Sequence, residues 1–126
     1  MKRILATCAR HDVRGTAAVE FALVAPVFVG LAVGTFYLCL CLFLTGSLHY
    51  AVEQAARCAS VNTTVCSSAS AIVSYAQSNY FGPGGSPNLT YAAAARGNSV
   101  TASMNYVLDV GLKTFTLPIS ATACFP

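Results

Sequence analysis

The sequence is short of charge. Only 9% of its 126 residues are charged, 7 Lys+Arg and 4 Asp+Glu, while 56% are hydrophobic. An ordinary soluble domain carries roughly 25% charged residues, so this composition excludes a free soluble globule. It excludes a disordered chain too, because disorder requires polarity and charge. Histidine and acid are equally scarce: past the apolar run that begins at Phe21 there remain only His49, Glu53 and Asp109. No Ser/His/Asp grouping, paired carboxylates or metal-ligand spacing can be assembled from these parts. Cys58 and Cys66 lack the two-residue spacing of a thioredoxin-type pair. The glycine-rich stretch at 82–86 lacks the Lys-Ser/Thr of a phosphate loop. No internal repeat is evident, and the length allows at most one small domain. The expectation is a chain that is not an enzyme and has no cofactor, metal or small-molecule substrate; a membrane-tethered redox enzyme is the weakest of the rival readings.

The charge that is present is unevenly placed. Lys2, Arg3, Arg10 and Arg14 lie in the first fifteen positions, opposed only by Asp12. Beyond Gly15, Arg57, Arg96 and Lys113 balance Glu20, Glu53 and Asp109. The basic excess therefore belongs to a leader and is not a nucleic-acid surface. Residues 21–44 carry no charge at all. As a helix they extend about 36 Å, more than the roughly 30 Å hydrocarbon core of a bilayer. A domain this small could not surround such a helix, so it is read as a membrane span. Basic residues on its N-terminal side predict that end cytoplasmic and the C-terminal part outside. The run is too long for a secretory signal peptide, whose apolar stretch is about 7–15 residues. Leu5-Ala6-Thr7-Cys8 faintly suggests a lipoprotein box, but no apolar segment precedes it.

The informative stretch is Arg14-Gly15-Thr16-Ala17-Ala18-Val19-Glu20-Phe21, which opens directly into the apolar helix. Glu20 is anomalous, since a carboxylate at the rim of a lipid-buried helix is costly unless neutralised or paired. A free α-amino group made by cutting after Gly15 would supply a partner. In one helix the two groups lie about 6 Å apart along the axis, and an amine on a neighbouring subunit could come closer. Such a pair between Thr16 and Glu20 would set axial register in an assembly.

At these residues the sequence resembles a known family. A glycine, four residues and then Glu-Phe, behind a basic leader and ahead of a long apolar helix, looks like the leader junction of type IV prepilins. More narrowly, Gly15-Thr16-Ala17-Ala18-Val19-Glu20-Phe21-Ala22-Leu23-Val24-Ala25-Pro26, with the later Glu53-Gln54-Ala55-Ala56-Arg57, is similar to the TadE-like pseudopilins of tight-adherence (Flp) type IVb pilus systems. The resemblance implies cleavage between Gly15 and Thr16 by a membrane-embedded prepilin peptidase, with Glu20 and Phe21 serving recognition. It implies a minor pseudopilin in the bacterial inner membrane, with inner-membrane lipid and other pilins as partners and a surface fibre used in adhesion as its destination. The alternative is an uncleaved single-span accessory subunit that binds a membrane partner.

Within the span, Gly30 and Gly34 form a G-x3-G pair that allows close helix approach. Pro26 removes the amide that would bond the Ala22 carbonyl and is expected to bend the helix. Cys39 and Cys41 lie about 200° apart around the helix and read as apolar filler. Beyond the span, Leu48, Ala51, Val52, Ala55, Ala56 and Ala59 form one apolar stripe, predicting a single helix of some forty residues from Thr16 onward. His49 and Tyr50 fall where amphipathic rings rest at headgroup depth.

After a turn at Asn62-Thr63-Thr64, Ala69, Ile72, Val73, Ala76 and Tyr80 share a face of a second helix, with Ser67 or Ser68 as N-cap. The breakers at 82–87 are expected to stop it. From Val100 the period changes to two, predicting a β-hairpin that turns around 109–112 and returns over Phe115, Leu117, Ile119, Ala121 and Ala123. Pro118 puts the last strand at an edge, and 89–94 offer a third short strand.

The expected fold is thus α+β and pilin-like: leader 1–15, assembly helix 16–48 and a small exported domain 49–126. Tyr50, Tyr75, Tyr80, Tyr91 and Tyr106 read as core or subunit-contact residues. Cys58, Cys66 and Cys124 would be exported to an oxidising compartment. A Cys58–Cys66 bridge would clip the connecting turn, with Cys66–Cys124, Cys58–Cys124 or free thiols as the alternatives.

Overall fold

The computed structural model describes residues 2–95, 97–109, 111 and 113–126, with residues 2–14 and 94 described through their backbone alone. Arg96, two residues of the expected 109–112 turn, and the basic and Cys8 side chains of the leader lie outside the described residues.

One helix dominates. α1 spans Lys2–Val61 and is 60 residues long. It is longer than the forty residues expected because the leader is helical as well; between Lys2 and Arg14 there is no glycine or proline to stop it. Pro26 lies inside α1, and the helix continues through it. One missing amide leaves the rest of the hydrogen-bond ladder intact. Hydroxyls along α1 are turned to its own backbone: Thr35 Oγ1 donates to the Leu31 carbonyl at 2.8 Å and Thr45 Oγ1 to the Cys41 carbonyl at 2.9 Å.

The chain divides into two units, Met1–Cys39 and Leu40–Pro126. The first consists of α1 alone. The second holds the later part of α1, then α2 (Ala69–Ser78), β1 (Asn88–Ala94), β2 (Gly97–Asp109) and β3 (Thr114–Phe125). The strands form one antiparallel sheet in the order β1-β2-β3. Pro118 stands opposite Asn105 on the outer strand, the place in a sheet where proline is tolerated. The α+β architecture expected from the sequence is therefore present, third strand included.

Leu44, Leu48, Val52, Ala55 and Ala56 of α1 are buried against Ile72 and Ala76 of α2 and against Val100, Ala102, Met104, Ile119 and Ala121 of the sheet. The small residues on each side allow the helix backbone to lie close to the strands, and the leucines and valines fill what remains. The unit starts at Leu40: Leu44 is fully buried and Leu40 packs against the core.

Two details of α2 differ from the pattern. Ala69 is exposed and Val73 half-buried, so the buried face is Ile72 and Ala76, with Tyr75 packed beside them. Ala69 is the first helical residue after the Ser68 cap, whose hydroxyl accepts from the Ala71 amide at 3.2 Å, and the first turn overhangs the core. The helix stops at Asn79, ahead of the breakers. The Asn79 side-chain amide donates to the Tyr75 carbonyl at 2.9 Å and its backbone amide reaches the Tyr75 and Ala76 carbonyls, so this cap ends the helix and Gly82 does not.

Cys58 and Cys66 are joined in a disulfide, eight positions apart, which leaves Cys124 as an exposed free thiol. The bridge clips the turn between α1 and α2, where the Asn62 side chain also accepts from Thr64 Oγ1 at 2.7 Å and from the Val65 amide at 3.3 Å. Closing so short a loop removes about 2–3 kcal/mol of unfolded-chain entropy. Replacing both cysteines by alanine should lower the unfolding free energy of the C-terminal unit by about that amount, measured by denaturant unfolding of the full chain in detergent with the wild type under reducing conditions for comparison.

Candidate functional site

The residues singled out at the junction lie on α1 near its first apolar turns. Gly15, Thr16, Val19 and Glu20 line one surface depression, which follows from a helix period that brings i, i+1, i+4 and i+5 to one side. Phe21 points away from them by the same geometry and is 74% exposed. The glycine of the expected cut, the residue that would become the new terminus and the acid are thus together on one side of the helix, and the aromatic is not. Glu20 is exposed.

Pro26, Gly30 and Gly34 follow at intervals of four and form a narrow stripe along α1. A Cβ built on either glycine would meet nothing within 4 Å. The surrounding helix surface is apolar and uncovered, Phe28 and Leu31 among its exposed residues. Among the described residues this is the one helix long and apolar enough to cross a membrane. A core helix of a soluble domain would be covered by its own chain; this surface needs an apolar environment from outside.

Further along α1, His49 and Tyr50 are exposed. Tyr80, Tyr91 and Tyr106 pack against the core, as expected of core residues. Burial, with Tyr106 alongside, holds the Tyr80 phenol above its ordinary pKa, so it stays neutral and donates its proton to Met104 Sδ at 3.1 Å. Cys39 is exposed and Cys41 half-buried, and no group of three or more His, Cys, Asp or Glu able to hold a metal occurs among the described residues. An open groove beside β3 is lined by Glu53, Arg57, Thr122 and Cys124.

Two features escaped the sequence reading. Ser47 is buried on the apolar stripe of α1 and accepts from the Phe81 amide at 2.9 Å. A lone serine on such a stripe signals a polar partner, but its identity lies 34 positions away. At the far end of the unit, Asn98 Nδ2 donates to Ser60 Oγ at 2.9 Å, Ser60 Oγ donates to the Phe125 carbonyl at 3.3 Å, and the Tyr91 hydroxyl donates to Asn98 Oδ1. Gly97, at φ 128°, lies so close to the Phe125 carbonyl that no side chain would fit. These contacts hold the end of β3 to the end of α1.

Because the glycine stripe faces open space, Gly30→Ala and Gly34→Ala should leave the unfolding free energy of the C-terminal unit within about 0.5 kcal/mol of wild type, as surface changes do. Gly97→Ala should destabilise it by several times that amount. Thermal and denaturant unfolding of the three variants in detergent checks both expectations.

The family of TadE-like proteins matches residues 15–57. The match begins at the junction glycine and stops one residue before Cys58, so it covers the apolar surface and the α1 portion of the core and leaves the sheet outside. It is the family that the junction residues resemble. No curated protein and no solved structure matches the chain.

Proposed function

From a helix that matches the TadE-like family across its junction and its whole apolar surface, we propose that the chain is a minor pseudopilin of a tight-adherence pilus. It is inserted with its N-terminus in the cytoplasm and its C-terminal unit outside. A prepilin peptidase trims it after Gly15, and its mature α1 packs against the helices of other pilins.

The observation that carries this reading is the match over residues 15–57, because it includes Gly15, Glu20 and the span in one stretch. The grouping of Gly15, Thr16 and Glu20 on one side of α1 supports recognition of the cleavage point together with the acid. After trimming, the new ammonium on Thr16 and the Glu20 carboxylate are the registry pair. Held at the edge of hydrocarbon, each neutralises a charge that would otherwise be costly there. Pro26, Gly30 and Gly34 offer the close-approach face. The structural role needs no reacting group, only complementary helix surfaces.

One observation favours the rival, an uncleaved single-span accessory subunit. α1 is helical straight through Gly15 and Thr16, and a peptidase must reach a peptide bond whose carbonyl is already engaged in a helix. Cleavage therefore requires this turn to open in the enzyme. Gly15 favours that step, since glycine destabilises a helix interior by about 1 kcal/mol relative to alanine.

Intact-mass measurement of the chain co-expressed with a prepilin peptidase should give a new N-terminus at Thr16, and Gly15→Ala should leave the chain full length. Full-length wild type under these conditions selects the accessory subunit. Glu20→Gln should be trimmed but should fail to enter fibres, read by immunoblotting of sheared surface material. Undisturbed incorporation of Glu20→Gln removes the registry pair from the account.

A further inference from the structure

β1 and β3 are the two edges of the sheet, and among the described residues each pairs with β2 alone. An edge strand presents backbone amides and carbonyls that a further strand can take, and proteins guard such edges with charge, proline, bulges or a cover. β1 carries no such guard in its own residues: Asn88–Ala94 holds neither charge nor proline, and its register runs without a bulge. β3 is guarded along only half its length. Lys113 precedes it and Pro118 interrupts it, but Ile119 to Phe125 carries neither charge nor proline and pairs without a bulge.

The two unguarded stretches lie at one level of the sheet. β1 is paired along 97–103 of β2, and Ser120 to Phe125 along 98–103 from the other side. Thr90, Thr101 and Thr122 therefore form one row across the sheet, and Ala92, Ser99 and Cys124 another. Pro118 falls opposite Asn105, just past the level at which β1 begins opposite Ser103. Both edge strands are antiparallel to β2, so they run in the same direction. Between α1 and the last residues of β3 lies an open groove of about 420 Å³, lined by Glu53, Arg57, Thr122 and Cys124 among others. Its two charges are of opposite sign, whereas β1 and α2, which packs beside β1, have no charged residue. An edge that brings β1 and α2 together meets no like charge there.

We propose that β1 of a second copy adds to β3 along Ile119 to Phe125, parallel to it, and carries the sheet from one copy into the next. Backbone hydrogen bonds along the edge supply the attraction, and the level of the two strands supplies the register. One contact then covers both unguarded edges, each copy giving β1 on one side and receiving it on the other. A β3–β3 contact about a two-fold axis would leave β1 open in both copies. A head-to-tail contact of this kind closes into a ring or continues as a filament, according to the rotation between copies. The contact lies wholly within the C-terminal unit and goes beyond the pseudopilin reading of α1; it does not depend on trimming at Gly15.

Two differently tagged full-length copies are expressed together, with Cys8, Cys39 and Cys41 replaced by alanine and the Cys58–Cys66 bridge kept. One copy carries Ala92→Cys with Cys124→Ala; the other retains Cys124. Oxidation of the membranes with copper phenanthroline should join the two tags. Thr90→Cys on one copy and Thr122→Cys on the other, both with Cys124→Ala, should join them as well. Each matched pair should exceed by several-fold the yield of Thr90→Cys with Thr116→Cys, which lies beyond Pro118. Circular dichroism of the purified chains identifies a pair that has lost the fold, and the other pair then decides. Equal yield from matched and mismatched pairs overturns the proposal in favour of random encounter. Bonding chiefly between Cys124 of two copies that both retain it overturns it in favour of a two-fold β3–β3 contact. Absence of a bond at the matched pairs in folded chains overturns it outright, and leaves the trimming and packing of α1 untouched.

Discussion

Everything in this structure follows from one helix having to satisfy two solvents. α1 is continuous from Lys2 to Val61, yet its apolar side chains are uncovered along one stretch and sealed by a sheet along the next. Backbone polarity imposes no conflict, because a helix closes its own hydrogen bonds wherever it lies. The side chains carry the whole difference. Large residues such as Phe21, Phe28 and Leu31 occupy the uncovered stretch. Where the sheet takes over, Ala51, Ala55 and Ala56 are interspersed with Leu44, Leu48 and Val52, because a neighbour of fixed shape needs room that a fluid one does not.

That arrangement explains why a small unit holds together. Its strands have a single layer of helix over them, and the core is a short file of side chains along α1 and α2. Such a core is marginal for its size. The ends are therefore secured by other means: the Cys58–Cys66 bridge clips α1 to α2, the Ser60–Asn98 contacts hold the sheet at one end, and Ser47 holds the loop at the other. No buried side-chain polar atom among the described residues lacks a partner, so these polar ties cost the core nothing in unmet hydrogen bonds.

Much of this was legible in the residue order. The charge-free run, the alanine stripe and the switch to period two at Val100 each report a local rule, and local rules survive in a single sequence. Pro118 announced an edge and the edge is there. The misreadings share one cause. Periodicity puts Ala69 on the face of Ile72 and lets α2 run on towards Gly82, because it says which residues share a face but not how far the opposing surface extends. Phe115 and Val107 alternate as strand residues should, and the pattern does not tell that both are exposed. The Ser47–Phe81 bond joins parts of the chain that no local rule relates. The junction was read from its residue types and spacing, and the helix adds that Phe21 stands apart from Gly15, Thr16 and Glu20, a matter of angle around an axis.

The late position of β3 has a bearing on how such a chain reaches its final state. Under the proposed orientation the polypeptide is delivered outward behind its anchor, so Cys58 and Cys66 emerge well before Thr114–Phe125. The covalent clip can close on a two-strand precursor whose Val100 and Ala102 still lack Ile119 and Ala121 opposite the helix. Until Thr114–Phe125 have followed, β2 lacks its neighbour on that side. Under that orientation the bridge can close before the third strand arrives, and β3 completes the sheet.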